Sequence, residues 1–128
     1  MIQDYLYREF DSMVVEEFLM LFDAIEDNID LVIERFYVDY KDAVNDLFRM
    51  IHNVKSATAY LKIKRIENFA HFVENILEVA REKDSPTEEL IDWLFKVSEQ
   101  FHKWYEEIDS NLELSPVNPE ILKTIPKL

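Results

Sequence analysis

The stretch "FRMIHNVKSATAYLKIKRIENFAHFVEN", residues 48–75, admits two readings, and the choice between them sets the fold. It holds no glycine and no proline, and its apolar residues recur at helical spacing. Read locally it therefore belongs to one helix running from 41 to 83. A helix of that length is out of scale for a compact domain. A turn at Lys62–Lys64 gives two antiparallel helices instead. Ala43, Leu47, Met50, Val54 and Leu61 then stripe the first, and Ile66, Phe69, Ala70, Val73, Leu77 and Ala80 the second. We adopt the turn.

The same spacing extends in both directions. Val14, Phe18, Leu21, Ile25, Ile29, Val32 and Phe36 mark an earlier helix, and Leu90, Leu94, Val97, Phe101, Trp104 and Ile108 a later one. The stripe loses phase at "YVDYKD", residues 37–42, which places another turn there. In "DSPTEE", Ser85 reads as a cap, Pro86 as the first helical position and Glu88 as the other half of a capping box. Four amphipathic helices with short connections predict an all-α, antiparallel up-down four-helix bundle over residues 1–112, with room for an extra short terminal helix. Residues 113–128 contain three prolines and no stripe, and read as a linker or loosely docked tail.

Composition narrows the function. The formal charge of −13 argues against nucleic acid and against anionic membrane surfaces as partners. The chain has no cysteine, so it has no disulfides, thiolate metal sites or cysteine nucleophiles, which fits a cytoplasmic protein. The N-terminus carries charges where a signal peptide needs an apolar run, and no segment approaches a membrane span. There is also no glycine, and phosphate-binding loops depend on it, so the chain carries no recognisable ATP site and no cofactor site of its own.

Against this acidic background, no carboxylate falls between Asp46 and Glu67, while Arg49, Lys55, Lys62, Lys64 and Arg65 all do. His52 stands inside that window. About a turn centred on Ile63, His52 lies level with Glu74, and Lys55 with His71. Four polar side chains then share one helix–helix seam beside the core stripe. An imidazole with one protonated and one bare nitrogen is a nucleophile. Glu74 would accept from Nδ1 and raise the basicity of Nε2, Lys55 would offset charge on an incoming phosphoryl group, and Ser56 and Ala59 leave the approach clear. The cations would suit a partner with an acidic, magnesium-loaded active site.

Other readings stay open on the residues alone. A non-catalytic helical interaction or scaffold domain predicts that His52 is replaceable. A di-metal bundle site needs two Glu-x-x-His motifs, and the chain has one such pair, Glu99 and His102. A self-contained kinase is opposed by the missing glycine-rich ATP site. Tyr60, beside the turn, is a candidate partner contact.

"HNVKSATAYL", residues 52–61, resembles the signature of histidine phosphotransfer (HPt) domains. The likeness is strongest to the N-terminal phosphotransfer domain of CheA-type chemotaxis kinases, whose His-x-x-Glu-Asn run is matched by "HFVEN" with His71, Glu74 and Asn75. It covers about residues 10–110. The resemblance implies a phosphorelay module of a two-component system, with His52 as phosphoacceptor, Lys55 assisting, Glu74 orienting the ring and His71 in the same hydrogen-bond network. It further implies a phosphocarrier that takes phosphate from a histidine kinase catalytic domain and passes it to a response-regulator receiver aspartate. ATP and Mg would be supplied through the partner, and no metal would be bound here. Two family glycines are replaced, by Ser56 after the lysine and by Lys62 at the turn.

Overall fold

The decisive turn forms without glycine. In the computed structural model, which describes residues 1–128 in full, helix α3 (Tyr40–Tyr60) ends at Leu61 and α4 (Lys64–Ala80) begins three residues later. Lys62 takes a left-handed conformation at φ 57°. The Ile63 amide donates to the Thr58 carbonyl at 2.9 Å and the Lys62 amide to Ala59 at 3.2 Å. These are the two bonds of a Schellman end, which satisfy carbonyls the helix leaves free. Ile63 is buried behind the turn, and the Tyr5 hydroxyl donates to the Leu61 carbonyl at 2.9 Å from outside.

Tyr5 belongs to α1 (Ile2–Glu9), which precedes α2 (Ser12–Glu34). Asp11 caps α2 by accepting from the Met13 amide. A single 3-10 turn (Arg35–Tyr37) then leads to α3, where the lost phase at 37–42 predicts a break. After α4 come α5 (Glu88–Asp109) and a short α6 (Pro119–Lys123). The long helices α2 to α5 form the all-helical up-down bundle, and α1 and α6 are the short additions.

Cross-helix bonds fix the directions. The Tyr40 hydroxyl, at the start of α3, donates to the Ala80 carbonyl at the end of α4. Between α2 and α5, Asp23 meets Tyr105, Glu26 meets His102 and Asp30 meets Ser98, a descending series that only antiparallel helices give. The core is one cluster of 33 buried residues. Every residue of the two later stripes lies in it; on α2 and α3 the buried face is displaced, with Val15, Phe22 and Ile51 inside and Val14, Leu21 and Met50 only partly covered. Phe69 and Phe72 of α4 meet Phe101, Trp104 and Trp93 of α5 through ring pairs 5.3–5.9 Å apart. Large rings separate those two backbones, whereas α3 and α4 pack closest of all.

One cap differs from the sequence reading. Thr87, not Ser85, caps α5, accepting from the Leu90 amide at 3.0 Å, and Pro86 lies before the helix. Starting there puts Glu88 and Glu89 in the first turn, where the helix dipole favours them. The segment 113–128 runs along α5. Trp104 donates to the Ser115 carbonyl at 2.8 Å, Trp93 to the Ile121 carbonyl at 3.0 Å, and the Asn118 amide to Gln100 at 2.8 Å. Ile121 is fully buried.

Candidate functional site

The short α3–α4 turn makes position along one helix predict position along the other, and the polar seam follows from it. His52 Nδ1 lies 2.6 Å from Glu74 Oε2, and Lys55 Nζ donates to Glu74 Oε1, also at 2.6 Å. One carboxylate, with its side chain only 11% exposed, thus joins both basic groups. His52 is the open member, with half of its side chain in solvent, while Lys55 is about a quarter exposed. Burial pushes the Glu74 carboxyl up, but the hydrogen bonds and charges of Lys55 and His52 outweigh it and hold it below the usual carboxylate range.

An ionised carboxylate accepts and cannot donate, so Nδ1 of His52 carries the proton in this contact. In the neutral ring Nε2 then holds the bare lone pair, and no protein group bonds to it. The seam thus holds a half-exposed imidazole with an unbonded nitrogen and its tautomer set from behind. His71 lies one turn before Glu74 on α4; it is exposed and makes no hydrogen bond or ion pair, so it stands outside the hydrogen-bond network that the resemblance implies for it, which Glu74 forms with His52 and Lys55 alone. Ser56 and Ala59 are exposed and small.

The positive window is partly engaged. Arg49 pairs with Asp46, Lys64 with Glu67 at 3.5 Å, and Arg65 donates to the Leu114 carbonyl. Tyr60 is well exposed, its ring 5.9 Å from Phe10.

Two further side chains form a column beside His52. The Phe48 ring lies parallel to the imidazole, 10° between planes and 6.3 Å between centroids. The Arg81 guanidinium sits 4.3 Å over the Phe48 ring. The i, i+4 spacing of Phe48 and His52 puts them on one face, but the arrival of Arg81 from the end of α4 needs the folded hairpin.

The histidine of the one Glu-x-x-His pair is placed differently. His102 does not bond Glu99; its Nδ1 meets Glu26 and its Nε2 meets Asp30 at 3.0 Å, both on α2. Burial pushes its pKa down, but hydrogen bonds and charge from the two carboxylates outweigh that and raise it.

A four-helix bundle with a half-exposed, carboxylate-backed histidine on one seam defines a class, and the comparison with protein families agrees. Residues 9–111 match the Hpt domain. The chain belongs to this family, whose members carry histidine phosphotransfer in two-component phosphorelays with kinases and receiver domains. It matches no curated protein and no solved structure. No helix is long and apolar enough to cross a membrane.

Proposed function

We propose that His52 is the phosphoacceptor, and that Lys55 and Glu74 act with it. The observation that carries the reading is the single buried carboxylate of Glu74 shared by His52 Nδ1 and Lys55 Nζ, with Nε2 of the half-exposed ring left without a protein partner. In the step, the Nε2 lone pair attacks the terminal phosphorus of the donor in line, and the Nε2–P bond forms as the bond to the leaving oxygen breaks. The leaving group, ADP or a receiver carboxylate, departs with the bonding electron pair. The ring gains positive charge while Nδ1 keeps its proton, and the Glu74 carboxylate stabilises that charge. Lys55 has its ammonium on the same carboxylate, close enough to offset phosphoryl charge. His71, exposed one turn before Glu74 on α4, adds a second imidazole on that helix.

ATP and magnesium come with a histidine kinase catalytic domain, and the phosphoryl group passes on to a response-regulator aspartate. The His-x-x-Glu-Asn run of residues 71–75 supports a finer reading, a CheA-like phosphotransfer module in chemotaxis-type signalling in the cytoplasm. The test is phosphorylation in trans by CheA-type and other kinase cores with ATP and magnesium, read by intact mass before and after brief acid treatment. One acid-labile phosphoryl group on the wild type, absent from His52→Gln, is the expected result. No label from several cores or from phosphorylated receivers overturns it in favour of a helical scaffold.

A further inference from the structure

We infer that Phe48 and Arg81 form a stacked column that fixes the plane of the His52 ring, which makes both of them positioning residues for the transfer proposed above. The functional consequence rests on that reading; the geometry does not.

A hydrogen bond at Nδ1 fixes one edge of the imidazole and leaves the ring free to tilt. The torsion that sets a histidine plane is broad and roughly two-fold, so backbone and rotamer preference supply little restraint. The tilt matters because the Nε2 lone pair lies in the ring plane, and in-line attack needs that plane aimed at phosphorus.

Phe48 supplies the missing restraint. Its ring is parallel to the imidazole within 10°, and centroids 6.3 Å apart at that angle describe an offset stack. Phe48 is itself partly buried against the core, so it is a fixed wall. Arg81 closes the column, with its guanidinium 4.3 Å over the Phe48 ring, a cation–π contact. Competition for that guanidinium is weak, since its one ion pair is a 3.9 Å contact with Glu78. The backbone of Arg81 is anchored at the C-cap of α4, its amide donating to Leu77 at 2.9 Å and its carbonyl accepting from Lys41 at 3.5 Å.

Arg81 follows Glu74 by seven residues, two helical turns, so both project from one side of α4. Helix α4 therefore meets the edge of the His52 ring through Glu74 and, through Arg81, backs the Phe48 ring of α3 that lies against its face. Arg81 does not touch His52, so its effect travels through the stack.

The experiment uses the full chain in five forms: wild type, Arg81→Ala, Arg81→Lys, Phe48→Leu and Phe48→Tyr. NMR relaxation of the imidazole C–H groups reads the order of the His52 ring, and a kinase-core assay reads kcat and KM for phosphoryl uptake. The expected result is lower ring order in Arg81→Ala and Phe48→Leu, restored in Arg81→Lys and Phe48→Tyr. Maximal uptake in the first two falls by roughly tenfold at unchanged KM. Arg81→Ala is the sharper variant, because it removes a partly exposed side chain and leaves Phe48 packed against the core.

Unchanged ring order in Arg81→Ala overturns the proposal, as does a rise in KM with order intact, which would mark Arg81 as a docking residue. If no form, wild type included, accepts phosphate, the acceptor reading fails, and ring order alone then decides the column.

Discussion

Two histidines in this bundle bridge antiparallel helices to carboxylates, one on the α3–α4 seam and one on α2–α5. His52, its side chain half exposed, bonds a carboxylate through one nitrogen and leaves the other without a protein partner. His102 has both nitrogens taken, by Glu26 and Asp30, and Asp30 is also held by Ser98. With both nitrogens bonded to carboxylates, a ring is held as an imidazolium staple and has no lone pair to offer. With one bonded and one free, the same ring keeps a lone pair to offer, and its tautomer is set. The residue types match; the count of occupied nitrogens separates the proposed acceptor from a clasp.

The largest expected effect tests that separation directly. His52→Gln should abolish acid-labile phosphoryl uptake while the helical spectrum and unfolding midpoint stay near wild type. His102→Gln should keep the label. A label that survives His52→Gln and disappears with His102→Gln would invert the assignment.

Next in size is Glu74→Ala. It frees Nδ1, releases the tautomer and leaves Lys55 without its partner. Uptake should fall by roughly ten- to a hundredfold with a slow residual reaction, read as initial rates at saturating kinase. A full-speed Glu74→Ala chain would show that the edge bond does not orient the ring.

The clasp should show itself in stability. His102→Gln should cost about 1 kcal/mol in urea unfolding, because the seam loses charge-assisted bonds in a partly exposed setting. The two seams also differ in the pH at which they act. His102 has its folded pKa raised by Glu26 and Asp30 against the burial that lowers it. Its contribution is thus fully present below the unfolded value near 6.5 and lost as pH rises through the folded value. Glu74 has its folded pKa lowered, so its contribution is present above the unfolded value near 4.5 and lost as pH falls through the folded one. Around His102 the further titratable groups on that face are Asp23 and Tyr105, whose hydroxyl donates to Asp23 and is pushed up to about 12. The stability gap between wild type and His102→Gln should close toward alkaline pH, and the gap to Glu74→Gln toward acid. Gaps that close in the same direction would break the comparison.

The contrast explains what the sequence could reveal. His52 and Glu74 were legible because a three-residue turn fixes the register of α3 against α4, so equal distances from Ile63 place them level. The partners of His102 were not legible, since Glu26 lies 76 residues away on a helix that no short loop ties to α5. Arg81 over Phe48 falls between these cases. It lies in the same hairpin, but a stack depends on side-chain directions that spacing does not give. For residues 113–128 the sequence left linker and loosely docked tail open, because the bonds that dock them join tail backbone groups to Trp93, Trp104 and Gln100 and leave no periodic stripe.

The smallest expected effect concerns the turn that sets this register. Lys62 holds φ at 57°, and a non-glycine there costs roughly 1 kcal/mol. Glycine removes that strain but returns about 0.4–1 kcal/mol through the freer unfolded chain. Lys62→Gly should therefore stabilise only slightly, with phosphoryl uptake unchanged, because the Schellman bonds of Ile63 and Lys62 use backbone atoms alone. The matching end of α5 should respond with the opposite sign. Asn111 also adopts a positive φ, 54°, and makes the same two backbone bonds through Leu112 and Asn111. Its side chain, however, accepts from the Gln3 amide at 2.9 Å and donates to Asp4 at 3.2 Å, tying α1 to the bundle. Asn111→Gly removes those bonds and should destabilise. If both substitutions stabilise alike, backbone strain alone governs these ends and the Asn111 contacts contribute nothing measurable.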